Sequence, residues 1–117
     1  MYALKNKVQL IGHLGKNPEV KTIDNGKKVA RVSLATSESY KNLQDEKVTE
    51  TQWHNIVAWG KLAEILEQYT TKGSEICVEG KLNYRDYTDK DGVKRNTTEI
   101  VVNEILLLDK KGSTIQG

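Results

Sequence analysis

Near residue 60 the chain changes its period, and that change governs what it can fold into. Trp53-His54-Asn55-Ile56-Val57-Ala58-Trp59 alternates with a period of two, and Gly60-Lys61 then opens a different pattern. Leu62, Ile65, Leu66 and Tyr69 recur at the i, i+3, i+4, i+7 spacing of one helix face. Lys72-Gly73 is a helix stop, and a period of two returns over residues 75–87. A strand therefore runs directly into a short helix, and a strand follows it.

Before this junction, residues 8–15 place Val8, Leu10, Gly12 and Leu14 on one face of a first strand. Gly12 and Gly15 predict bending or a bulge there. Asn17-Pro18 redirects the chain, residues 19–23 continue the strand, and Asp24-Asn25-Gly26 is a hairpin turn. Residues 29–36 alternate, with Ala30, Val32 and Leu34 opposed to Arg31, Ser33 and Ala35. Residues 37–50 are polar and read as a long loop or an extended hairpin, with Tyr40 and Lys41 exposed within it. After the helix, residues 75–87 form a fourth strand, Asp91-Gly92 a turn, and residues 97–108 the last strand. Three strands, one helix and two strands predict an all-β fold, a five-stranded Greek-key barrel of the OB type. Its helix lies between strands three and four. The barrel domain spans residues 1–108, and 109–117 form a short polar tail.

Both tryptophans of the chain lie six residues apart in the third strand. They share a face with Asn55 and Val57, about 20 Å apart at roughly 3.3 Å per residue. His54, Ile56 and Ala58 point the other way and already supply a core face. The outward indoles beside Lys61 are either a stacking platform for unpaired bases, or they cap a barrel or fill an interface. Formal net charge is +2, from 18 Lys plus Arg against 16 acids, too mild to prove an anionic partner. A nucleic-acid reading rests on where the charges sit.

Catalytic and metal motifs fail on their spacing. A P-loop needs a glycine five residues before the Gly of Gly-Lys, and the four Gly-Lys pairs have Leu10, Lys21, Asn55 and Glu75 there. Asp89-Lys90-Asp91-Gly92 lacks the first and twelfth ligands of a calcium loop. Two histidines and one cysteine do not make a zinc site. Gly12-His13-Leu14-Gly15 copies a KH-domain GXXG but interrupts a strand. The expectation is a protein without catalysis, cofactor or metal. Cys77 sits among strand residues and reads as a buried, inert thiol. The chain shows no signal peptide and no membrane-length apolar stretch, which predicts a cytoplasmic protein.

Several segments, in order, resemble the bacterial single-stranded DNA-binding proteins. They include Gly12-His13-Leu14-Gly15-Lys16-Asn17-Pro18-Glu19-Val20, Leu34-Ala35-Thr36-Ser37-Glu38, Trp53-His54, Gly60-Lys61-Leu62-Ala63-Glu64 and Lys72-Gly73-Ser74. Val78-Glu79-Gly80-Lys81-Leu82 and Thr98-Glu99-Ile100-Val101-Val102 extend the match to about residue 108. The resemblance implies an OB-fold, usually a homotetramer, that binds single-stranded DNA without strong sequence preference. It would keep the strand protected and unpaired during replication, recombination and repair. It implies stacking by Tyr40, Trp53, Trp59 and Tyr87 and phosphate contacts by Lys7, Lys61, Lys72 and Arg85. His54 matches a position near subunit contacts. Asp86 stands where a cation is common, and Asn55 where Arg is common. Tyr84 has opposite parity to Tyr87 and is either an extra contact or a packing residue. The family's acidic C-terminal tip, which recruits replication and repair proteins, has no counterpart in residues 109–117. The rival functions are an OB-fold protein adaptor and an RNA-binding module.

Overall fold

The computed structural model describes residues 5–108, so the tail expected at 109–117 lies outside the described residues. The elements run β1 (Val8–Leu14), β2 (Glu19–Thr22), β3 (Lys28–Lys41), β4 (Lys47–Trp59), α1 (Lys61–Tyr69), β5 (Glu75–Thr88) and β6 (Lys94–Leu107). β1 and β2 are the two arms of one bent strand. β1 pairs antiparallel with β5, and β2 pairs with β3 from Glu19↔Arg31 to Thr22↔Lys28. The sheet order is β1-β5-β6-β4-β3-β2, and His13↔Ala35 and Leu14↔Leu34 join β1 to β3 and close the barrel. β4 and β6 run parallel at Asn55↔Glu99, Ile56↔Ile100 and Val57↔Val101. This is the five-stranded OB barrel with its helix where the change of period places it.

The closure explains one of the two expected glycine sites. A Cβ on Gly12 would overlap the carbonyl oxygen of Ala35, so only glycine lets β1 approach β3 this closely. The register shift itself falls elsewhere, where β6 carries Asn103 as an extra residue opposite Glu79/Gly80 of β5. There a Cβ on Gly80 would overlap the carbonyl of Val101.

Alternation decides the core. Ala30, Val32 and Leu34 of β3 meet Ile56 and Ala58 of β4 inside the barrel, all buried. Ile76, Val78, Ile100, Val102 and Leu107 complete it from β5 and β6. Each large aliphatic side chain buried there contributes roughly 1.5–3 kcal/mol. α1 covers the barrel with buried Ala63 and Leu66 and partly buried Leu62 and Ile65. Tyr69, placed on that face by spacing, ends the helix and stays exposed. Gly60, at φ 61°, makes the turn from β4 into α1. Lys28 Nζ reaches Glu67 Oε1 at 2.8 Å and ties α1 to β3.

Residues 37–50 are the extended hairpin, not a loop. β3 and β4 stay in register from Ser37↔Thr51 out to Lys41↔Lys47. The hydroxyls of Ser37 and Thr51, and of Ser39 and Thr49, pair across the strands at 3.2 and 3.1 Å. At the tip, Asn42 Oδ1 accepts from the backbone N–H of Gln44 and Glu46. A second long hairpin joins β5 to β6, and Asp89 closes its tip. Asp89 accepts from the backbone of Asp91 and Val93 and from Arg95 Nε at 2.7 Å. The Arg95 hydrogen bond, then that from Val93, holds its carboxyl below the ordinary carboxylate range.

The expected core position of Cys77 is overturned. Ile76 and Val78 take the inward positions on either side of it, so Cys77 faces outward and is half-buried. It lies in one cross-strand row with exposed Ile11 and Leu106.

Gly12→Ala should cost about 1–3 kcal/mol through overpacking against Ala35. Thermal unfolding should then fall by roughly 5–15 °C. An unchanged melting temperature would contradict the close approach.

Candidate nucleic-acid interface

The outer faces of β3 and β4 carry residues the core does not use. Val29, Arg31, Ser33 and Ala35 stand opposite Trp59, Val57, Asn55 and Trp53. Trp53 keeps 62% of its surface exposed and Trp59 38%, although the core beneath them is complete. Two indoles left in water by a filled barrel are not core residues.

Each indole has a defined neighbour. Trp53 lies against Gly15, where an added Cβ would overlap its six-membered ring. The Gly15 N–H donates to Ser33 O at 2.9 Å, which fixes that seat on β3. Lys27 Nζ sits 5.5 Å from the Trp59 ring centroid. Residues 24–26 mark the turn in the sequence, but nothing in the local pattern announces that Lys27 reaches back over β4.

Tyr87 is the third outward ring, 41% exposed, with Arg85 Cζ 5.6 Å from its centroid. Arg85 and Tyr87 share one face of β5 by parity, and Asn83↔Glu99 and Arg85↔Thr97 align them with β6. Asp86 and Tyr84 take the opposite parity, and Tyr84 is 73% exposed and unpacked against the barrel.

These elements border a recess of about 320 Å³, where Lys16 and Asn17 of the β1–β2 bend face Arg31, Asn55, Arg85 and Tyr87. Glu99 lies at its base, only 5% exposed. Its Oε2 accepts from Arg31 Nη1 at 2.5 Å and from Arg85 Nη2 at 3.2 Å. Burying a carboxylate alone is costly, and two guanidinium partners offset that cost. The Arg31–Glu99–Arg85 cluster joins β3, β6 and β5, so no local motif in the sequence reveals it. Val57, outward by parity, is nonetheless buried, because it lies beneath this recess.

The remaining expected residues are more dispersed. Tyr40 is 49% exposed, but its partner Val48 places it on the other face of the β3–β4 ribbon from Trp53. It begins a second row and does not extend the tryptophan row. Lys72 is exposed, and its backbone N–H donates to Asn17 Oδ1 at 2.8 Å, which sets it near the recess rim. Lys61 is exposed at the first position of α1, just after Trp59 and Gly60. Lys7 stands apart: its Nζ pairs with Glu79 Oε2 at 3.3 Å in a separate open hollow beside Lys81. His54 is half-buried, and its Nε2 is 2.9 Å from Thr36 Oγ1. Among the described residues, no group of three or more His, Cys, Asp or Glu side chains is arranged to hold a metal.

An OB barrel with exposed rings and cations on one face defines a class of oligonucleotide- and oligosaccharide-binding modules. The chain belongs to the single-strand binding protein family, whose model matches residues 5–108. Two similar proteins come from Neisseria meningitidis, of serogroups A and B, each described as a single-stranded DNA-binding protein. Each is 43% identical over 112 residues, covering 96% of this chain and 64% of the relative. The chain thus spans a little under two thirds of the length of these curated relatives. Among solved structures, the fold is similar to a Plasmodium falciparum SSB in complex with single-stranded DNA, with a TM-score of 0.81. That match has 32% identity and covers 89% of this chain and 95% of the other.

The seat of Trp53 gives a direct check. In a Trp59→Phe background, Gly15→Ala should push the remaining indole off the β1–β2 bend. Its emission should shift to the red and acrylamide should quench it more strongly. Identical spectra would contradict the Gly15 contact.

Proposed function

We propose that this chain binds single-stranded DNA without strong sequence preference, by stacking bases on outward aromatic rings and neutralising phosphates with adjacent cations. One observation carries this reading: Trp53 and Trp59 are exposed on a strand whose other face fills the core. Flat rings stack on any base, and such contacts are worth roughly 1–3 kcal/mol per base. Tyr87 with Arg85, and Trp59 with Lys27, set a ring beside a positive charge. Family membership and the DNA-bound structural relative support the same substrate.

The cycle is one of binding and release without catalysis. Lys16, Lys27, Lys61, Lys72 and Arg85 would displace counterions from the backbone, so affinity falls as salt rises. A strand held this way cannot re-pair and is shielded from nucleases. This fits a cytoplasmic role in replication, recombination and repair. Tyr40 would serve the strand on the second face of the β3–β4 ribbon, and Lys7 would contact it beyond the central recess.

The functional unit we infer is a homotetramer. β1 pairs with β5 along residues 8–13 but pairs with β3 only at His13 and Leu14, with Gly12 packed on Ala35, so residues 8–11 present a strand edge. Ile11 and Leu106 are 53% and 45% exposed beside Cys77 on the outer sheet. An open edge and an apolar row favour self-association. His54 belongs near these contacts by the family resemblance. Light scattering should give four times the chain mass, and a monomer at micromolar concentration would contradict this.

Trp53→Ala and Trp59→Ala should each weaken oligothymidine binding by about 1–3 kcal/mol, with the fold retained by circular dichroism. Unchanged affinity in both variants would overturn the stacking reading. Tight binding to a protein partner with no DNA affinity would favour the adaptor alternative.

A further inference from the structure

We propose that Glu99 is a built-in competitor for the DNA backbone, holding Arg31 and Arg85 where a phosphate would otherwise hold them and so speeding release of the strand. The proposal rests on the single-stranded DNA reading above and adds a control on its off-rate.

The placement of the cluster carries the argument. Glu99 is 5% exposed, and its Oε2 accepts from both guanidinium groups. Arg31 comes from β3 and Arg85 from β5, and their side chains are 45% and 47% exposed. They reach from a buried anchor into the recess that Asn55 and Val57 also line. Those two residues lie between Trp53 and Trp59 on β4, so a strand stacked on both indoles passes over the recess.

A guanidinium fork suits carboxylate and phosphate alike, because each presents two anionic oxygens. Glu99 takes one N–H from each fork and leaves the others facing the recess. Its charge also lies directly behind them. Two arginines alone would present two positive charges to the backbone, and with Glu99 the cluster presents one. A phosphate over the recess therefore meets oriented donors in a weakened field. Without the carboxylate, two like charges would stand close together with no anion between them. A phosphate relieves that repulsion, so the loss of Glu99 costs the free chain more than the bound chain. By linkage, that difference appears as tighter binding.

Glu99 is a positioning residue in this scheme, because it acts through the arginines. Glu19 supplies the contrast. It borders the same recess from an exposed position and pairs with neither arginine among the described residues.

The experiment measures oligothymidine affinity, its salt dependence and the dissociation rate by stopped flow, for the wild-type chain, Glu99→Gln and Glu19→Gln. Circular dichroism checks each fold. Glu99→Gln should bind about tenfold tighter at low salt, from one negative charge removed close to a phosphate. The gain should appear in slower dissociation. The salt slope should steepen by about 0.7, the value of one further phosphate contact on a single strand. Glu19→Gln should change each quantity much less. If Glu99→Gln does not fold, Glu99→Asp withdraws the carboxylate by one methylene and should slow dissociation in smaller measure. Weaker binding by the Gln variant would make Glu99 a clamp for the forks alone, and the proposal fails. Unchanged affinity and slope would mean that no phosphate reaches the forks, and equal gains from both Gln variants would mean a general field; either overturns it. If the wild type does not bind the oligomer, the single-stranded DNA reading fails as well, a separate result from binding that Glu99 does not control.

Discussion

β4 is locked on both sides, and the rest of the molecule depends on that lock. Its antiparallel ladder with β3 runs the length of both strands, and its parallel seam with β6 holds Asn55 to Val57. A slip of one residue would turn Ile56 and Ala58 outward and both indoles into the barrel. The filled interior leaves no room for them. Exposed tryptophan is therefore a consequence of the core, and a rigid scaffold holds the rings where a ligand can reach them. Gly12 and Gly15 belong to the same constraint. One lets β1 close against Ala35, and the other lets Trp53 lie down on the β1–β2 bend.

The electrostatics are local. A net charge of +2 says little about partners, yet cations gather around the rings. Lys27 lies over Trp59 and Arg85 over Tyr87. Glu99 then organises Arg31 and Arg85 in place of simply cancelling them. A ring with a neighbouring charge can engage both parts of a nucleotide, its flat base and its phosphate. The buried carboxylate between two arginines adds direction to what would otherwise be a diffuse positive surface.

The strand alternation and the switch of period at Gly60 were legible in the sequence, because burial follows parity over β3, β4 and β5. The same parity could have placed Cys77 outside, between inward Ile76 and Val78. The face of Tyr40 was not legible. It follows from parity only once β3 is known to continue unbroken to Lys41, which the polar residues 37–50 left open between a loop and a hairpin. The Arg31–Glu99–Arg85 cluster joins three strands, and its members meet only once the parallel β4–β6 seam is set. Lys27 reaches Trp59 because the turn at Gly26 returns the chain beside β4, a contact across about thirty residues of sequence. Pattern within a strand reads its faces, and register between strands decides which side chains share a site.

The most direct test of the central claim is intrinsic fluorescence during titration with oligothymidine, with duplex DNA as the control. Trp53 and Trp59 are the chain's only tryptophans, so the signal reports the outward face of β4 alone. Strong quenching by the single strand and little by the duplex is the predicted result. Binding of the single strand with no change in tryptophan emission would contradict the account, because the bases would then lie away from the indoles.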